Sequence, residues 1–253
     1  YLGWTAVPDR WFSWVLPAFF TGVLTVRRWR PSVLFSTSPI PSAQVVGWAL
    51  QRATGLPWVA DLRDPLTGRA SPATRGLQHL LQRWVERLVA RRAARIVFTS
   101  PAAKADFHQR YPHLPSNRLA VIENGYDEES FASLPPSTQA TAPGQCITLL
   151  HSGIVYPSER DPTQLFEALR RLVDETGLRP GQLLLRFRAA VHDDLLKALA
   201  ARYDVAAFVE MRPPVGYREA LAEMQAVDGL LVLQAANCNQ QIPAKLYEYL
   251  RCH

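Results

Sequence analysis

Residues 242–250 read Ile-Pro-Ala-Lys-Leu-Tyr-Glu-Tyr-Leu. A strongly apolar run at 229–233 comes before them, and a short polar loop joins the two. The run has the length and the Leu and Val content of a buried strand. Pro243 suits the first turn of a helix, so a helix is predicted from Ala244 to Leu250. In an open α/β sheet this order places the helix N-terminus at the carboxyl end of the strand, where ligands bind.

Two charged side chains in this helix, Lys245 and Glu248, are three residues apart and share one face. The free N–H groups and the dipole of the helix N-terminus favour a phosphate. A cation near the phosphates and a carboxylate one turn further on would suit a nucleotide, with the carboxylate accepting from ribose hydroxyls. A solvent-exposed Lys–Glu pair on an amphipathic helix has the same spacing, so spacing alone leaves both interpretations open.

The motif at 242–250 resembles the donor-binding helix of family-four glycosyltransferases, which have the GT-B fold. The resemblance implies that Glu248 holds the ribose of a nucleotide-sugar. Many members carry a second Glu eight residues earlier, near the transferred sugar. Here that position is Gln240, which can still donate and accept hydrogen bonds but carries no charge. Gln241 and Ile242 complete the part of the donor site that the resemblance implies for this loop.

The start of the second half matches the same family. Cys146 to His151 is predicted as a strand, and a loop with Gly153 near its start and Arg160 near its end follows. Relatives have a glycine and a basic residue at these places, both close to the donor diphosphate. Glycine lets the backbone approach a ligand, and arginine binds phosphate with two hydrogen bonds. His151 could reach the cleft, but a lone histidine at a strand end is more often structural.

The remainder of the second half alternates between strands and helices. Strands are predicted at 183–187 and 206–209, and helices at 163–175, 193–201 and 218–225. Relatives usually have glycines in the loop after the first of these strands, whereas Arg188-Ala189-Ala190 has none. The resemblance places the loop at 213–217 beside the nucleotide base.

The first half shows the same alternation, which predicts a parallel sheet with helices on both faces. Strands are expected at 32–36, 57–60, 95–99 and 119–122, and helices at 43–53, 77–89 and 102–110. The loops 36–42 and 61–65 should open on one edge of this sheet. They resemble the acceptor side of bacterial members of the family, where Asp64 would act as a general base on an acceptor hydroxyl. The alternative is a structural cluster of Asp61, Arg63 and Asp64.

The fold class is therefore predicted as α/β, with two Rossmann-like parallel-sheet domains in a GT-B arrangement. An Asn-Gly turn at 124–125 and a segment rich in Ser, Thr, Ala and Pro separate the halves. The predicted domains are an acceptor-side domain at 1–132, a linker at 133–145 and a nucleotide-sugar-binding domain at 146–253. Because the chain lacks an initiating Met and stops where relatives continue, we expect both domains to be incomplete.

Composition and net charge limit the classes of protein to which this chain can belong. Hydrophobic residues make up 48% of the 253 residues, which argues against disorder. The net charge of +6 is uneven, because residues 1–130 carry +7 and residues 131–253 carry −1. A basic first half predicts an anionic surface or substrate as partner. The three cysteines have no metal-ligand spacing, and their odd number argues against a disulfide framework, so a reducing cytoplasm is the default location.

The N-terminal region is rich in tryptophan and ends in a basic cluster. Its mostly apolar run at 11–26 has 16 residues, short of the roughly 20 needed to span a bilayer. An aromatic helix beside a basic cluster fits a segment lying on an anionic membrane surface. A core helix with solvated arginines would look the same. The residues concerned are Trp4, Trp11, Trp14, Trp29, Arg27, Arg28 and Arg30.

These observations predict a glycosyltransferase, retaining by resemblance, that moves a sugar from a nucleotide-sugar to a glycan or lipid-linked acceptor in cell-surface polysaccharide synthesis. We expect no cofactor, no metal and no nucleic-acid partner. We expect a cytoplasmic protein that binds peripherally to an anionic inner membrane face. The alternatives are a GT-B sugar-nucleotide epimerase and a non-catalytic relative that binds membranes or polyanions. The predicted donor-binding residues are Gly153, Arg160, Gln240, Gln241, Ile242, Lys245 and Glu248, with Asp64 as the predicted catalytic residue.

Overall fold

The structure is a computed structural model, which describes residues 8–67, 76–134 and 145–252. The chain divides into two compact units, Tyr1–Asn124 with Gln240–Ile242 and Gly125–Asn239 with Pro243–His253. Each unit contains a four-stranded parallel sheet with helices between its strands, so the predicted α/β fold with two Rossmann-like sheets is confirmed. Trp4 and most of the segment predicted as a linker lie outside the described residues.

The first unit has the strand order β1-β2-β3-β4, with all neighbouring strands parallel. Short 3-10 helices at Phe12–Trp14 and Ser116–Arg118 accompany the main elements. The main elements are α1 (Val15–Trp29), β1 (Leu34–Thr37), α2 (Pro41–Thr54), β2 (Trp58–Leu62), α3 (Leu77–Arg92), β3 (Arg95–Phe98), α4 (Pro101–Arg110) and β4 (Leu119–Val121).

Local sequence signals fix the helix ends in this unit. Pro41 and Pro101 open α2 and α4 at the position where a missing N–H group is tolerated. The Ser100 hydroxyl oxygen accepts from the N–H group of Ala103 at 3.0 Å and caps α4. Gly55 ends α2 in the left-handed region with φ 71°.

A polar network inside the first core sets the distance between α2 and the sheet. Trp58 is fully buried, and its indole N–H group donates to the Ser36 hydroxyl at 2.7 Å. That hydroxyl donates in turn to the amide oxygen of Gln44 at 2.7 Å. A Cβ atom on Gly47 would lie 2.6 Å from the indole nitrogen, so α2 packs on β1 and β2 at a spacing that only glycine allows.

The second unit has the strand order β7-β6-β5-β8, again parallel throughout. β5 therefore occupies an inner position, and its carboxyl end shares an edge with the carboxyl ends of β6 and β8. The elements are α5 (Glu128–Ala132), β5 (Ile147–Ser152), α6 (Thr163–Thr176), β6 (Leu183–Arg188), α7 (Asp193–Arg202), β7 (Val209–Arg212), α8 (Tyr217–Gln225), β8 (Gly229–Leu230) and α9 (Ala244–Cys252).

Two expected strands differ from the sequence pattern. The segment Ala206–Phe208 is a 3-10 helix, and the strand begins at Val209 because the alanines have little preference for extended backbone. The apolar run at 229–233 pairs as a strand only over Gly229–Leu230. One further backbone bond, from the Leu231 N–H group to the Leu150 carbonyl, continues this pairing before the chain turns away.

Candidate functional site

The turn after β5 forms the base of the candidate site. Gly153 has φ 113°, a region that favours glycine, and its N–H group donates to the Arg188 carbonyl at 2.8 Å. A Cβ atom at this position would lie 3.1 Å from the ammonium nitrogen of Lys245. The backbone conformation therefore favours glycine where the chain passes Lys245, and a Cβ atom there would press on the ammonium group.

Lys245 reaches this turn from the first turn of α9. Its ammonium group donates to the Ser152 carbonyl at 2.7 Å and lies 3.3 Å from Nε2 of His151. Burial, together with the positive charge of Arg160, lowers the pKa of Lys245 to about 8, and the negative charge of Glu248 opposes this decrease. The sequence predicts that Lys245 faces a ligand-binding loop. In the structure its ammonium group lies beside the Gly153 turn.

Tyr249, one helical turn after Lys245, binds the other backbone group of the same residue, Ser152. The Ser152 N–H group donates to the Tyr249 hydroxyl oxygen at 2.9 Å. The ring is buried, and burial raises the pKa of Tyr249 to about 12. Since Lys245 binds the Ser152 carbonyl, two side chains of α9 hold the two peptide groups on either side of Ser152, the residue before Gly153.

Arg160 ends the same loop and is held by local contacts. One guanidinium nitrogen, Nη1, donates to the Ile154 carbonyl at 2.8 Å, and the group lies over the Tyr156 ring at 5.2 Å from its centre. Among the residues that the structure describes, neither Arg160 nor Lys245 forms an ion pair with a carboxylate. One cation on the loop and one on α9 are therefore close enough for Arg160 to lower the pKa of Lys245, and neither has a carboxylate in contact within the described residues.

Glu248 lies on the α9 turn that follows Lys245, and its carboxylate is oriented by a residue from another helix. The Tyr217 hydroxyl at the start of α8 donates to Oε1 of Glu248 at 2.7 Å. Burial, together with the hydrogen bond to Glu248 and its negative charge, raises the pKa of Tyr217 to about 12. Tyr217 ends the loop that the resemblance places beside the nucleotide base, so a carboxylate and this loop are in direct contact.

The predicted loop residues Gln240–Ile242 group with the first unit. The Gln240 side chain donates to Oδ1 of Asp106 at 2.9 Å, and its carbonyl accepts from the Ser100 hydroxyl. The Gln241 side chain donates to Oδ1 of Asp64 at 3.2 Å. Gln241 and the predicted catalytic Asp64 are therefore brought together.

Asp64 follows β2 in a loop tied to the loop after β1. The Ser38 hydroxyl accepts from the Asp64 N–H group and donates to its carbonyl, both at 3.1 Å. Burial raises the pKa of Asp64, with Arg63 opposing and Asp61 adding to the increase. Asp61 has a different partner, since Oδ2 accepts from the Thr37 hydroxyl at 2.9 Å. A carboxyl group with a raised pKa suits a proton acceptor better than an ordinary aspartate.

Sequence reasoning missed three contributors to the donor-side geometry. Tyr217 and Tyr249 were not singled out, and His151 was interpreted as structural. Tyr249 could have been found from its spacing of four residues from Lys245, which places both side chains on one helix face. The contacts of His151 and Tyr217 join residues 94 and 31 positions apart and have no local signal.

Two structural features are absent from residues 8–67, 76–134 and 145–252. No group of three or more His, Cys, Asp or Glu side chains with the arrangement of a metal site occurs there. No helix in that part of the chain has the length and apolar character required to cross a membrane.

Comparison with known proteins identifies the first half of the chain. Residues 2–125 match the family described as Glycosyl transferase 4-like domain. The first half of this chain is similar to glycosyl transferase 4-like domains. The resemblance to family-four, GT-B glycosyltransferases that the motifs indicated is thereby confirmed. No curated protein matches the chain.

Solved structures extend the likeness over both units. HepE from Anabaena, solved in complex with UDP-glucose, is 19% identical with a TM-score of 0.66 over 92% of this chain and 60% of HepE. An alpha,alpha-trehalose 6-phosphate synthase from Burkholderia multivorans is 12% identical with a TM-score of 0.68 over 94% of this chain and 57% of the synthase. MnaA from S. aureus, solved with UDP, is 11% identical with a TM-score of 0.51 over 90% of this chain and 60% of MnaA. At these identities the likeness shows the fold, and the chain spans 57–60% of the three structures.

Proposed function

We propose that this protein is a glycosyltransferase and that its second unit binds the nucleotide-sugar donor. The observation that carries the proposal is the pair of cations at the carboxyl end of β5, where Lys245 and Arg160 flank the Gly153 turn without a carboxylate in contact among the described residues. Nucleotide diphosphates are the ligand class that such a site fits, because they carry the missing anion. HepE complexes with UDP-glucose and with UDP and glucose support a uridine nucleotide as the first donor to test.

In this proposal each donor-binding residue has a distinct role. Lys245, Arg160 and the free N–H groups at the start of α9 bind the diphosphate and stabilise the negative charge that develops as it leaves. Glu248, oriented by Tyr217, accepts hydrogen bonds from the ribose hydroxyls. The family resemblance assigns Gln240, Gln241 and Ile242 to the transferred sugar.

The acceptor side of the proposal rests on Asp64. Its raised pKa and its loop position suit a general base for an acceptor hydroxyl. The proposed acceptor is a glycan or lipid-linked precursor of a cell-surface polysaccharide. Retention of anomeric configuration is proposed from the family resemblance, and proton NMR of the product's anomeric coupling tests it.

The donor role is tested by calorimetry and product analysis together. Titration with UDP, UDP-glucose and other nucleotide-sugars should give affinity for at least one diphosphate and much less for its nucleoside. Mass spectrometry after incubation with a membrane extract should then show a product heavier by one sugar. Conversion of the nucleotide-sugar into an isomer without an acceptor would indicate the epimerase instead. Nucleotide binding without turnover of any kind would indicate the non-catalytic relative.

We further propose that the first unit binds peripherally to an anionic inner membrane face. Helix α1 has no buried residue, and one of its faces presents the exposed side chains of Leu16, Phe20 and Leu24 at a spacing of four residues. The opposite face, with Val15 and Val26, packs against the core. Because Arg27, Arg28 and Arg30 follow this apolar stripe, the helix combines the two features that bind anionic interfaces.

Vesicle sedimentation tests the membrane proposal against the core-helix interpretation. The protein should sediment with vesicles containing phosphatidylserine at low salt and be released partly at high salt. A Leu16→Ser/Phe20→Ser/Leu24→Ser variant should stay in the supernatant while retaining its circular dichroism. Leu50→Ser, in α2 beside Gly22 of α1, is a matched control that alters the inner packing without changing the exposed stripe. Wild-type protein that stays in the supernatant at low salt would exclude the membrane role.

A further inference from the structure

His151 is a buried histidine that the proposed chemistry does not use. It lies at the penultimate position of β5 and has no exposed surface. Its Nδ1 atom is 3.0 Å from the Leu231 carbonyl oxygen, and its Nε2 atom is 3.3 Å from the ammonium nitrogen of Lys245. Its ring packs 6.1 Å from the Phe187 ring, between the centres. Both ring nitrogens therefore have partners of defined chemistry.

The partners of the two ring nitrogens indicate the tautomer of His151. A carbonyl oxygen only accepts, so we assign the ring proton to Nδ1, which lies 3.0 Å from the Leu231 carbonyl; the Ile154 carbonyl is a second acceptor near the ring. In a neutral ring Nε2 is then a lone-pair acceptor, and an ammonium group can only donate to it. Burial lowers the pKa of His151 to about 4, and the charges of Lys245 and Arg160 contribute to this decrease. The ring is consequently neutral at physiological pH.

We propose that His151 is a positioning residue for Lys245, a neutral acceptor that aims the ammonium group at the turn where the diphosphate binds. The inference rests on the proposed donor site and adds a residue to it. The hydrogen bonds of the described residues use two of the three ammonium N–H groups, one to His151 and one to the Ser152 carbonyl. The third is left for a ligand oxygen.

A neutral acceptor serves this purpose better than a carboxylate. An Asp or Glu at position 151 would pair with Lys245 and cancel the positive charge that attracts a phosphate. The imidazole fixes the ammonium group without cancelling its charge, because its own proton is committed to Leu231. The other titratable groups around Lys245 are Arg160 on the loop, and Glu248 and Tyr249 on α9. None of them supplies a second neutral acceptor to the ammonium group in the described residues.

Two substitutions separate the hydrogen bonds of the ring. His151→Gln places an amide oxygen near the Nε2 position and keeps an acceptor for Lys245. His151→Asn places an amide N–H group near the Nδ1 position and keeps only the donor to Leu231. A merely structural histidine would lose stability in both variants, with no difference in the titration of Lys245.

The test is an NMR titration of the Lys245 ¹³Cε resonance in the ligand-free full chain. The midpoint should fall by about one pH unit in His151→Asn relative to wild type, because the charged ammonium loses an acceptor. It should stay near the wild-type value in His151→Gln. Equal midpoints in all three proteins, or a decrease in the Gln variant alone, would overturn the positioning role.

A second measurement needs no variant and therefore does not depend on variant folding. The ¹⁵N shifts of the wild-type imidazole should report a neutral ring with a protonated Nδ1. A protonated Nε2 would contradict the proposal, since such a ring cannot accept from Lys245. Both experiments use protein without nucleotide. If calorimetry finds no nucleotide binding, the donor site fails, while the contact between His151 and Lys245 is still judged by NMR.

Discussion

Glu86 in the first unit and Lys245 in the second are charged groups withdrawn from water, and the protein compensates them differently. Glu86 on α3 is only 2% exposed and pairs with Arg110 of α4. It also accepts from the hydroxyls of Thr67 at 2.7 Å and Tyr111 at 3.1 Å. Lys245 has a neutral imidazole, a carbonyl and a neighbouring guanidinium that lowers its pKa.

The difference distinguishes a structural charge from one held ready for a ligand. The carboxylate of Glu86 has a full counter-charge and hydrogen bonds to both oxygens, so its desolvation is offset within the fold. The ammonium group of Lys245 is oriented but lacks an ion-pair partner in the described part of the chain. When an anion binds, the ammonium group gains the counter-charge that it lacks. This interaction then contributes to the free energy of binding.

The largest expected effect is the loss of the counter-charge at Glu86. Arg110→Ala should lower the free energy of unfolding of the first unit by about 3 kcal/mol, since it leaves a buried carboxylate unpaired. All seven tryptophans lie between positions 4 and 84, so urea unfolding followed by tryptophan fluorescence reports this unit. UDP affinity should be unchanged.

The matched control removes both charges together. Glu86→Leu/Arg110→Met should recover most of the lost stability, because an apolar pair of similar volume needs no compensation. If Arg110→Ala unfolds at the same urea concentration as wild type, the guanidinium of Arg110 does not compensate the buried charge of Glu86.

The contrast between Glu86 and Lys245 also separates what the sequence could predict from what it could not. The strand–helix alternation and the motif at 242–250 were sufficient for the α/β fold, and the resemblance selected Gly153, Arg160 and Lys245, which the structure brings to one turn. The pairing of Glu86 with Arg110 was not foreseen, because it depends on how α3 and α4 pack rather than on local spacing. The acceptor role of His151 depends on the register between β5 and the chain after β8, which no local pattern encodes.

A smaller effect is expected on donor binding when the two cations are removed. Lys245→Ala and Arg160→Ala should each weaken UDP binding by about 1.5–3 kcal/mol, and the double variant should be non-additive because both contact one anion. Uridine affinity should be unchanged in all three. Glu248→Ala serves as the control, since loss of a ribose contact weakens UDP and uridine alike. Calorimetry that finds equal losses for UDP and uridine in the cation variants would remove the diphosphate site.

The pH dependence of donor affinity tests the state of Lys245 more finely. The pKa of Lys245, about 8 in the free protein, should rise when a diphosphate binds. The affinity for the diphosphate is therefore highest below pH 8, where the ammonium group is already protonated in the free protein. Above pH 8 the affinity for UDP-glucose should fall by about tenfold per pH unit, equivalent to about 1.4 kcal/mol. In Lys245→Arg the affinity should stay flat between pH 7 and 9 because guanidinium remains charged. A flat wild-type profile over the same range would contradict the lowered pKa.

The smallest effect has the opposite sign from that at Arg110. Lys245→Met keeps the apolar stem and removes the poorly compensated charge, so at pH 7 it should raise the free energy of unfolding of the second unit by about 1 kcal/mol. The unfolded chain holds the Lys245 proton up to its ordinary pKa of 10.5, whereas the folded protein releases it near 8. Between these values the unfolded state binds more protons, so wild-type stability rises with pH relative to the Met variant, and the difference should shrink by pH 9. The measurement is urea unfolding followed by far-ultraviolet circular dichroism, with the transition that tryptophan fluorescence does not report assigned to the second unit. A Met variant less stable than wild type at pH 7 would mean that Lys245 supports the fold as Arg110 does, and the contrast between the two units would be lost.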